Sequence, residues 1–400
     1  MEVIRSNFEY LASELSKPQV LILIGARQVG KTFLMGKLQN YLKQKGKKAS
    51  YFNLEIPRDS RLFASNIIEL YEKITNSVDF IFIDEFHYFE NASSFFKAVF
   101  DDKKLKIKII ASGSSSLQMH KHLKESLAGR KVEKIIYPLS YNEFRQSGRS
   151  FNEYLIYGGL PGLLELKTNN EKIELLASLV ETYILKDVKS LIKEENISAF
   201  NKLLYLLADR QGQIISVSSL SNELGLDNKT IGSYLDILEL TFIAYSLPSY
   251  SKNLSNELKK SRKYYLYDIG IRNSLLNDFE GLKNRNDKGL IYETYVNNYI
   301  RSQAPKNSEL RFWRTKKGDE VDFVYLKNRK PYLIEVKSKL QDTDIPPSML
   351  KFVSHYKNTK GIFIINENIE KVVEHSGVEI DFIKLENLEF NERFNLIFKN

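Results

Sequence analysis

The chain contains no cysteine in 400 residues, which excludes disulfides and any thiolate-held zinc and fits a reducing compartment. No apolar run approaches the roughly 18 residues that a membrane span needs. The opening MEVIRSNFEYLASELSK lacks the apolar core of a signal peptide. The expected location is therefore cytoplasmic, with no membrane partner. Charge of one sign is not extreme either: 59 Lys and Arg against 50 Asp and Glu leave +9, which suits an anionic partner such as DNA without demanding one. With 42% hydrophobic and 27% charged residues, no stretch needs to be disordered. At about 150 residues per domain, two or three domains are expected.

Over the first 150 residues, short apolar runs alternate with amphipathic segments of helical length. The runs are VLILIGA (20–26), ASYFNL (49–54), DFIFIDE (79–85), IKIIASGS (107–114) and VEKIIYPL (132–139). Continuous apolar strands joined by helices make a parallel sheet covered on both faces. The fold class is therefore α/β.

The first run ends in Gly25-Ala26-Arg27-Gln28-Val29-Gly30-Lys31-Thr32, followed by Phe33 in the first turn of a helical pattern. Gly25 and Gly30 let the backbone wrap close to a polyphosphate, and the amides of residues 27 to 33 bind its oxygens. Lys31 neutralises the outer phosphates and Thr32 ligands magnesium. The third run ends in Asp84 and Glu85. Asp84 is placed to complete the magnesium shell and Glu85 to orient or deprotonate water, which points to hydrolysis rather than transfer to an organic acceptor. Ser114, in the polar end of the fourth run (112–116), is a candidate to sense the γ-phosphate, although such a run is also an ordinary turn or cap. Arg130 is a candidate arginine finger, in cis or toward a neighbour in a homo-oligomer, with a surface salt bridge as its other reading. No Asn-Lys-x-Asp tetrad follows, so the expected nucleotide is ATP, with Mg2+.

YGGLPGLLEL (157–166) leads from this region into a helical lid or linker, 151–197. Residues 198–270 give helix, short strand, helix, a turn at Gly225, a second helix near 228–239 and an apolar strand, the order of a winged helix-turn-helix. Lys229 on that second helix stands against Asp227, Asp236 and Glu239, and phosphate repulsion favours a structural or subunit-contact role. The basic runs KQKGKK (43–48) and NELKKSRKYY (256–265) read first as solvated loop charge.

In the last segment, EVDFVYL (320–326) and YLIEVK (332–337) alternate charge with apolar residues, the period of half-buried strands. A hairpin turning at Asn328-Arg329 sets Asp322 directly opposite Glu335, with Cβ atoms about 5 Å apart. Facing carboxylates need relief, from Lys337 on the same face or from a divalent cation, with Glu293 on the preceding helical pattern as third ligand. Such a metal would activate water while Lys337 holds the water or scissile phosphate.

Helix Glu, strand Asp and Glu-x-Lys one strand later resemble the PD-(D/E)xK nuclease superfamily, over roughly residues 285–375. Nearly the whole chain, through GARQVGKT, FIFIDE, ASGSSS, YGGLPGLLE, KYYLYDIGIRNSLL and GDEVDFVYL, is similar to a family of prokaryotic AAA+ superfamily ATPases with a nuclease-like C-terminal domain of unknown function. The resemblance implies an AAA+ domain over 1–150, the middle segments named above, and a nuclease-like domain over 271–400. The implied activity is ATP hydrolysis coupled to a metal-dependent nuclease on DNA. The alternative is an ATP-driven switch whose inactive nuclease-like fold docks protein or DNA.

Overall fold

Five runs of branched and aromatic residues form one sheet in the first part of the chain: β1 (Val20–Ile24), β2 (Ala49–Asn53), β3 (Phe80–Asp84), β4 (Lys108–Gly113) and β5 (Lys131–Ile135). Their order is β2-β3-β4-β1-β5, and every pairing is parallel. β1 and β4 are buried along their whole length, whereas the edge strands β2 and β5 are half-buried. Because all strands run the same way, their C-terminal ends collect Gly25, Asp84 and Ser112 along one rim, where open α/β sheets bind ligands. The helix Lys31–Gln44 follows β1 and buries Leu34, Met35, Leu38 and Leu42, one stripe at helical spacing.

The computed structural model describes residues 3–76, 78–102, 104–113, 127–182, 192, 197–251, 262–375 and 377–399. They divide into two units. The first comprises Met1–Leu139 with Leu160–Gly162 and Ile237–Ile243, and the second Ser140–Gly159, Leu163–Asp236 and Ala244–Asn400. Residues 151–197 and 198–270, expected as a lid or linker and a separate domain, thus fall mostly in one unit with the C-terminal sheet. The cause lies in buried polar anchors. Asp268 accepts the Gly159 amide at 2.8 Å, Asn273 Nδ2 donates to the Ile156 carbonyl at 2.7 Å, and Arg272 Nε donates to the Ala208 carbonyl at 3.1 Å. Gly158 has φ +82°, and a Cβ there would lie 2.1 Å from Asp268 Oδ1, so only glycine admits this contact.

Helices Ile197–Asp209, Val217–Leu224 and Asn228–Leu240 precede the antiparallel pair β6 (Ala244–Leu247) and β7 (Lys263–Leu266). Gly225, at φ +67°, ends the second of these helices, as its place in the sequence suggests. The second unit also holds a mixed sheet of β8 (Ser308–Arg314), β9 (Glu320–Lys327), β10 (Lys330–Val336), β11 (Gly361–Asn366), β12 (Lys371–His375) and β13 (Val378–Lys384), ordered β12-β13-β11-β10-β9-β8. Asn328 and Arg329 have φ of 51° and 61°, the left-handed pair of a two-residue hairpin turn. The ladder runs from Lys330↔Lys327 to Ile334↔Phe323, the register expected from the sequence. One expectation fails here. Val324 and Phe323, on opposite faces of β9, are both fully buried, as are Leu333 and Ile334 on β10, so these strands are covered on both sides rather than half-buried. Among the described residues, no helix is long and apolar enough to cross a membrane.

Candidate functional site

The phosphate-loop geometry begins with two glycines that no other residue could replace without strain. Gly25 has φ +149°, and a Cβ would lie 2.3 Å from the Ile136 carbonyl oxygen. Gly30, at φ +93°, caps the helix Lys31–Gln44, and Gln28 between them also has positive φ, 58°. Val29 is fully buried. Its carbonyl accepts Arg5 Nη1 at 2.9 Å, while Arg5 Nη2 donates to the Tyr137 carbonyl at 2.8 Å. Arg5 thus braces the loop from the N-terminal segment, a role no local motif signals.

Lys31 is buried and donates to the carbonyls of Gly25 (3.1 Å) and Ala26 (2.8 Å). Burial pulls its pKa down to about 8, against the attraction of Glu85 and Asp84. Thr32 Oγ1 donates to Asp84 Oδ2 at 2.7 Å, and Tyr51 donates to the same oxygen at 2.8 Å. Ser112 donates to Asp84 Oδ1. Glu85 follows with φ 53° and ψ 47°, and its Oε2 lies 3.2 Å from His87 Nδ1. Burial would raise the Glu85 pKa, but His87, Lys31 and Arg27 together hold the carboxyl below its usual range. A hydroxyl and a carboxylate side by side, beside a buried cation bonded only to carbonyls, form a donor set that fits a magnesium polyphosphate.

Other expected residues have different surroundings. Arg27 Nη1 lies 4.0 Å from Glu55, and Phe33 is half exposed with Lys37 Nζ 5.5 Å from its ring. Ser114 lies outside the described residues, and the serine joined to Asp84 is Ser112. Arg130 Nε is paired with Asp101 at 2.8 Å, and the Arg130 carbonyl accepts the Val20 amide at the start of β1. The phosphate loop leaves the other end of β1, five residues and about 16 Å away at 3.3 Å per residue. Arg130 thus lies toward the other end of β1 from the phosphate loop.

The C-terminal carboxylates form a second cluster. Asp322 Oδ2 accepts the Val336 amide at 2.8 Å, and Glu335 Oε2 accepts the Asp322 amide at 3.3 Å, so each strand's carboxylate binds the opposite backbone. Lys337 Nζ lies 2.8 Å from Glu335 Oε1. Glu293, on the helix Lys288–Gln303, feels the Asp322 charge but has bonds of its own: Lys263 Nζ lies 3.0 Å from its Oε1, and Tyr265 donates to the same oxygen. Lys263 also lies 2.8 Å from Glu320, which Arg314 meets at 3.0 Å. Among the described residues, no group of three or more His, Asp or Glu is disposed to hold a metal ion. An ammonium neutralises the buried charge instead.

Electrostatics follow from that arrangement. Burial would lower the Lys263 pKa, but Glu293, Asp322 and Glu320 outweigh it and raise it. Burial raises Glu293 to about 7 against the pull of Lys263. It raises Glu335 to about 8 with the help of Asp322, against Lys337. An open cavity of about 580 Å³ lies alongside, lined by Asp319, Glu320, Asp322, Glu335, Lys337 and Asp344 among others. Lys263, read within NELKKSRKYY (256–265) as solvated loop charge, is instead 1% exposed; its signal was its place directly before the apolar run YYLY (264–267).

Residues 17–145 match the family described as AAA domain; residues 148–282 and 288–388 match two families described as Domain of unknown function, DUF8612 and DUF4143. An uncharacterized protein of Haemophilus influenzae is 25% identical over 388 residues, 91% of this chain and 93% of that protein. One of Mycobacterium tuberculosis is 27% identical over 330 residues, 82% of this chain and 72% of that protein. Among solved structures, AMPPCP-bound DnaA from Aquifex aeolicus aligns with TM-score 0.31 and 16% identity, covering 60% of this chain and 89% of that one. The N-terminal α/β segment that carries Lys31, Thr32, Asp84 and Glu85 is thus similar to AAA domains, and the C-terminal sheet to a domain of unknown function.

Proposed function

We propose that this protein binds and hydrolyses ATP at the phosphate loop and uses the cycle to switch a C-terminal domain that docks DNA or protein. The observation that carries the ATPase reading is the Thr32 hydroxyl bonded to Asp84 at 2.7 Å, beside a Lys31 that, among the described residues, donates to two carbonyls. Phosphate oxygens would replace those carbonyls with stronger, charge-assisted bonds. Thr32 and Asp84 would hold magnesium, which neutralises charge developing on the transferred phosphoryl group. Glu85, kept ionised by His87 and Lys31, is positioned to take a proton from water. Tyr51 and Ser112 fix the Asp84 carboxylate, so that it need not reorganise.

Lys31→Ala is expected to abolish both nucleotide binding and turnover. Glu85→Gln should retain nucleotide and lose turnover by about 100-fold or more, the usual worth of a general base. Hydrolysis by Glu85→Gln at the parent rate would refute the role given to Glu85. In a homo-oligomer, Arg130 would act on a neighbour's nucleotide only by releasing Asp101, and unchanged turnover in Arg130→Ala would dismiss that role.

For the C-terminal domain, docking is favoured over metal-dependent cleavage because Lys263 already pairs with Glu293 and Glu320. The check is plasmid and single-stranded DNA incubated with magnesium or manganese, with and without ATP. The docking reading expects no cutting. Cutting that disappears in Asp322→Ala, Glu335→Ala would restore the nuclease.

A further inference from the structure

We infer that Lys263 is the built-in counter-cation of the C-terminal carboxylate cluster and that it keeps divalent metals out of it. Its side chain is 1% exposed, and Nζ bridges carboxylates from two different elements, Glu293 at 3.0 Å and Glu320 at 2.8 Å. A divalent ion drawing on those oxygens would sit about 2.0 to 2.6 Å from them, which the ammonium forbids while it stays. Leaving is costly, because an ammonium stripped of its partners in a closed interior is an uncompensated buried charge.

Charge balance tells the same story. Four carboxylates, Glu293, Glu320, Asp322 and Glu335, face three cations: Lys263, Lys337 at 2.8 Å from Glu335, and Arg314 at 3.0 Å from Glu320. Adding two positive charges would overshoot neutrality unless a lysine withdrew. Some of the remaining lone pairs are also taken. Asp322 accepts the Val336 amide, Glu335 accepts the Asp322 amide, and Tyr265 donates to Glu293. The backbone crowds Glu293 as well, since a Cβ on Gly212 would lie 2.9 Å from its Oε1. The site therefore has a metal's carboxylates and a lysine in the metal's place.

This inference rests on the docking reading of the C-terminal domain and not on ATP hydrolysis. Its test is Mn2+ titration followed by electron paramagnetic resonance on the full chain without nucleotide. An Asp84→Asn background removes the phosphate-loop carboxylate from the count. The protein with Lys263 intact should bind no Mn2+ that Asp322→Asn abolishes. Lys263→Met, which keeps the length of the apolar stem, should gain one Mn2+ per chain. Adding Asp322→Asn should erase that gain, and Mn2+ should raise the melting temperature of Lys263→Met alone.

Mn2+ bound with Lys263 present and lost in Asp322→Asn would overturn the inference. So would a folded Lys263→Met that takes up none. Should Lys263→Met fail to fold, the titration of the lysine-bearing protein still decides. DNA cleavage by that protein sinks the docking reading, whereas a folded but metal-blind Lys263→Met sinks only the role given to Lys263.

Discussion

Two lysines, one in each unit, are almost equally hidden from water, with Lys31 5% and Lys263 1% exposed, yet their pKa values move in opposite directions. Lys31 donates, among the described residues, to the carbonyls of Gly25 and Ala26, and its pKa falls to about 8. Lys263 touches Glu293 and Glu320, and its pKa rises. The desolvation cost is similar in kind; the partners differ. Lys31 is a cation still short of an anion, which is what a polyphosphate site requires. Lys263 already has its anions, so its cluster makes little demand on a further ion. Burial of a charge thus identifies a binding site only when the counter-charge is missing.

The sharpest break of this comparison is to make the same change at both places. Lys263→Met leaves Glu293 buried without its cation, while Glu320 keeps Arg314, and should cost about 3 to 5 kcal/mol of stability. The chain's single tryptophan, Trp313, is buried in the apolar core of the second unit, so its fluorescence during denaturant unfolding reports the loss there. Lys31→Met should behave otherwise. It removes a buried charge whose pKa burial pulls down to about 8, leaves stability unchanged or higher, and lowers ATP turnover about 100- to 1,000-fold, the usual worth of one oriented charge-stabilising donor.

Alkaline pH separates the two lysines by sign. Between about 8 and 10.5, the unfolded chain holds a proton at Lys31 that the folded chain has released, so stability attributable to Lys31 rises with pH. Lys263 holds its proton more tightly when folded, so its contribution is complete below 10.5 and declines above it. Equal slopes in the two methionine variants would erase the distinction between the sites.

The legible parts of this fold are the local ones. The phosphate loop reads directly because its glycines, lysine and threonine are contiguous, and the β9–β10 register reads because a two-residue turn at Asn328-Arg329 fixes every pairing behind it. Helices Val217–Leu224 and Asn228–Leu240 stand where the pattern and Gly225 put them. What escaped depends on distant packing. Lys263 meets Glu293 across 30 residues, and Arg5 meets Val29 across 24, with no spacing rule to connect them. Placing Ser112 beside Asp84 needs the β3–β4 pairing, since the run SGSSS offers several equivalent hydroxyls. For Arg130, a Gly-Arg before a strand does not say which end of the sheet it occupies.

Two glutamates repeat the lysine contrast with a smaller effect. Glu85 is held below its usual range, so its contribution is present above 4.5 and is lost as pH falls through its lower folded value. Glu335 is raised from 4.5 to about 8 by burial beside Asp322, so the folded protein keeps a proton that the unfolded chain gives up. Its contribution is complete below 4.5 and drains away as pH climbs through about 8. Glu335→Gln cannot titrate, yet its amide oxygen can still accept the Asp322 amide, so the Trp313-detected unfolding midpoint should fall less steeply over that window than in the parent. A parallel decline in both proteins would mean that Lys337, 2.8 Å from Glu335, keeps the carboxyl ionised after all, and the cluster would then carry more negative charge than Lys263 balances.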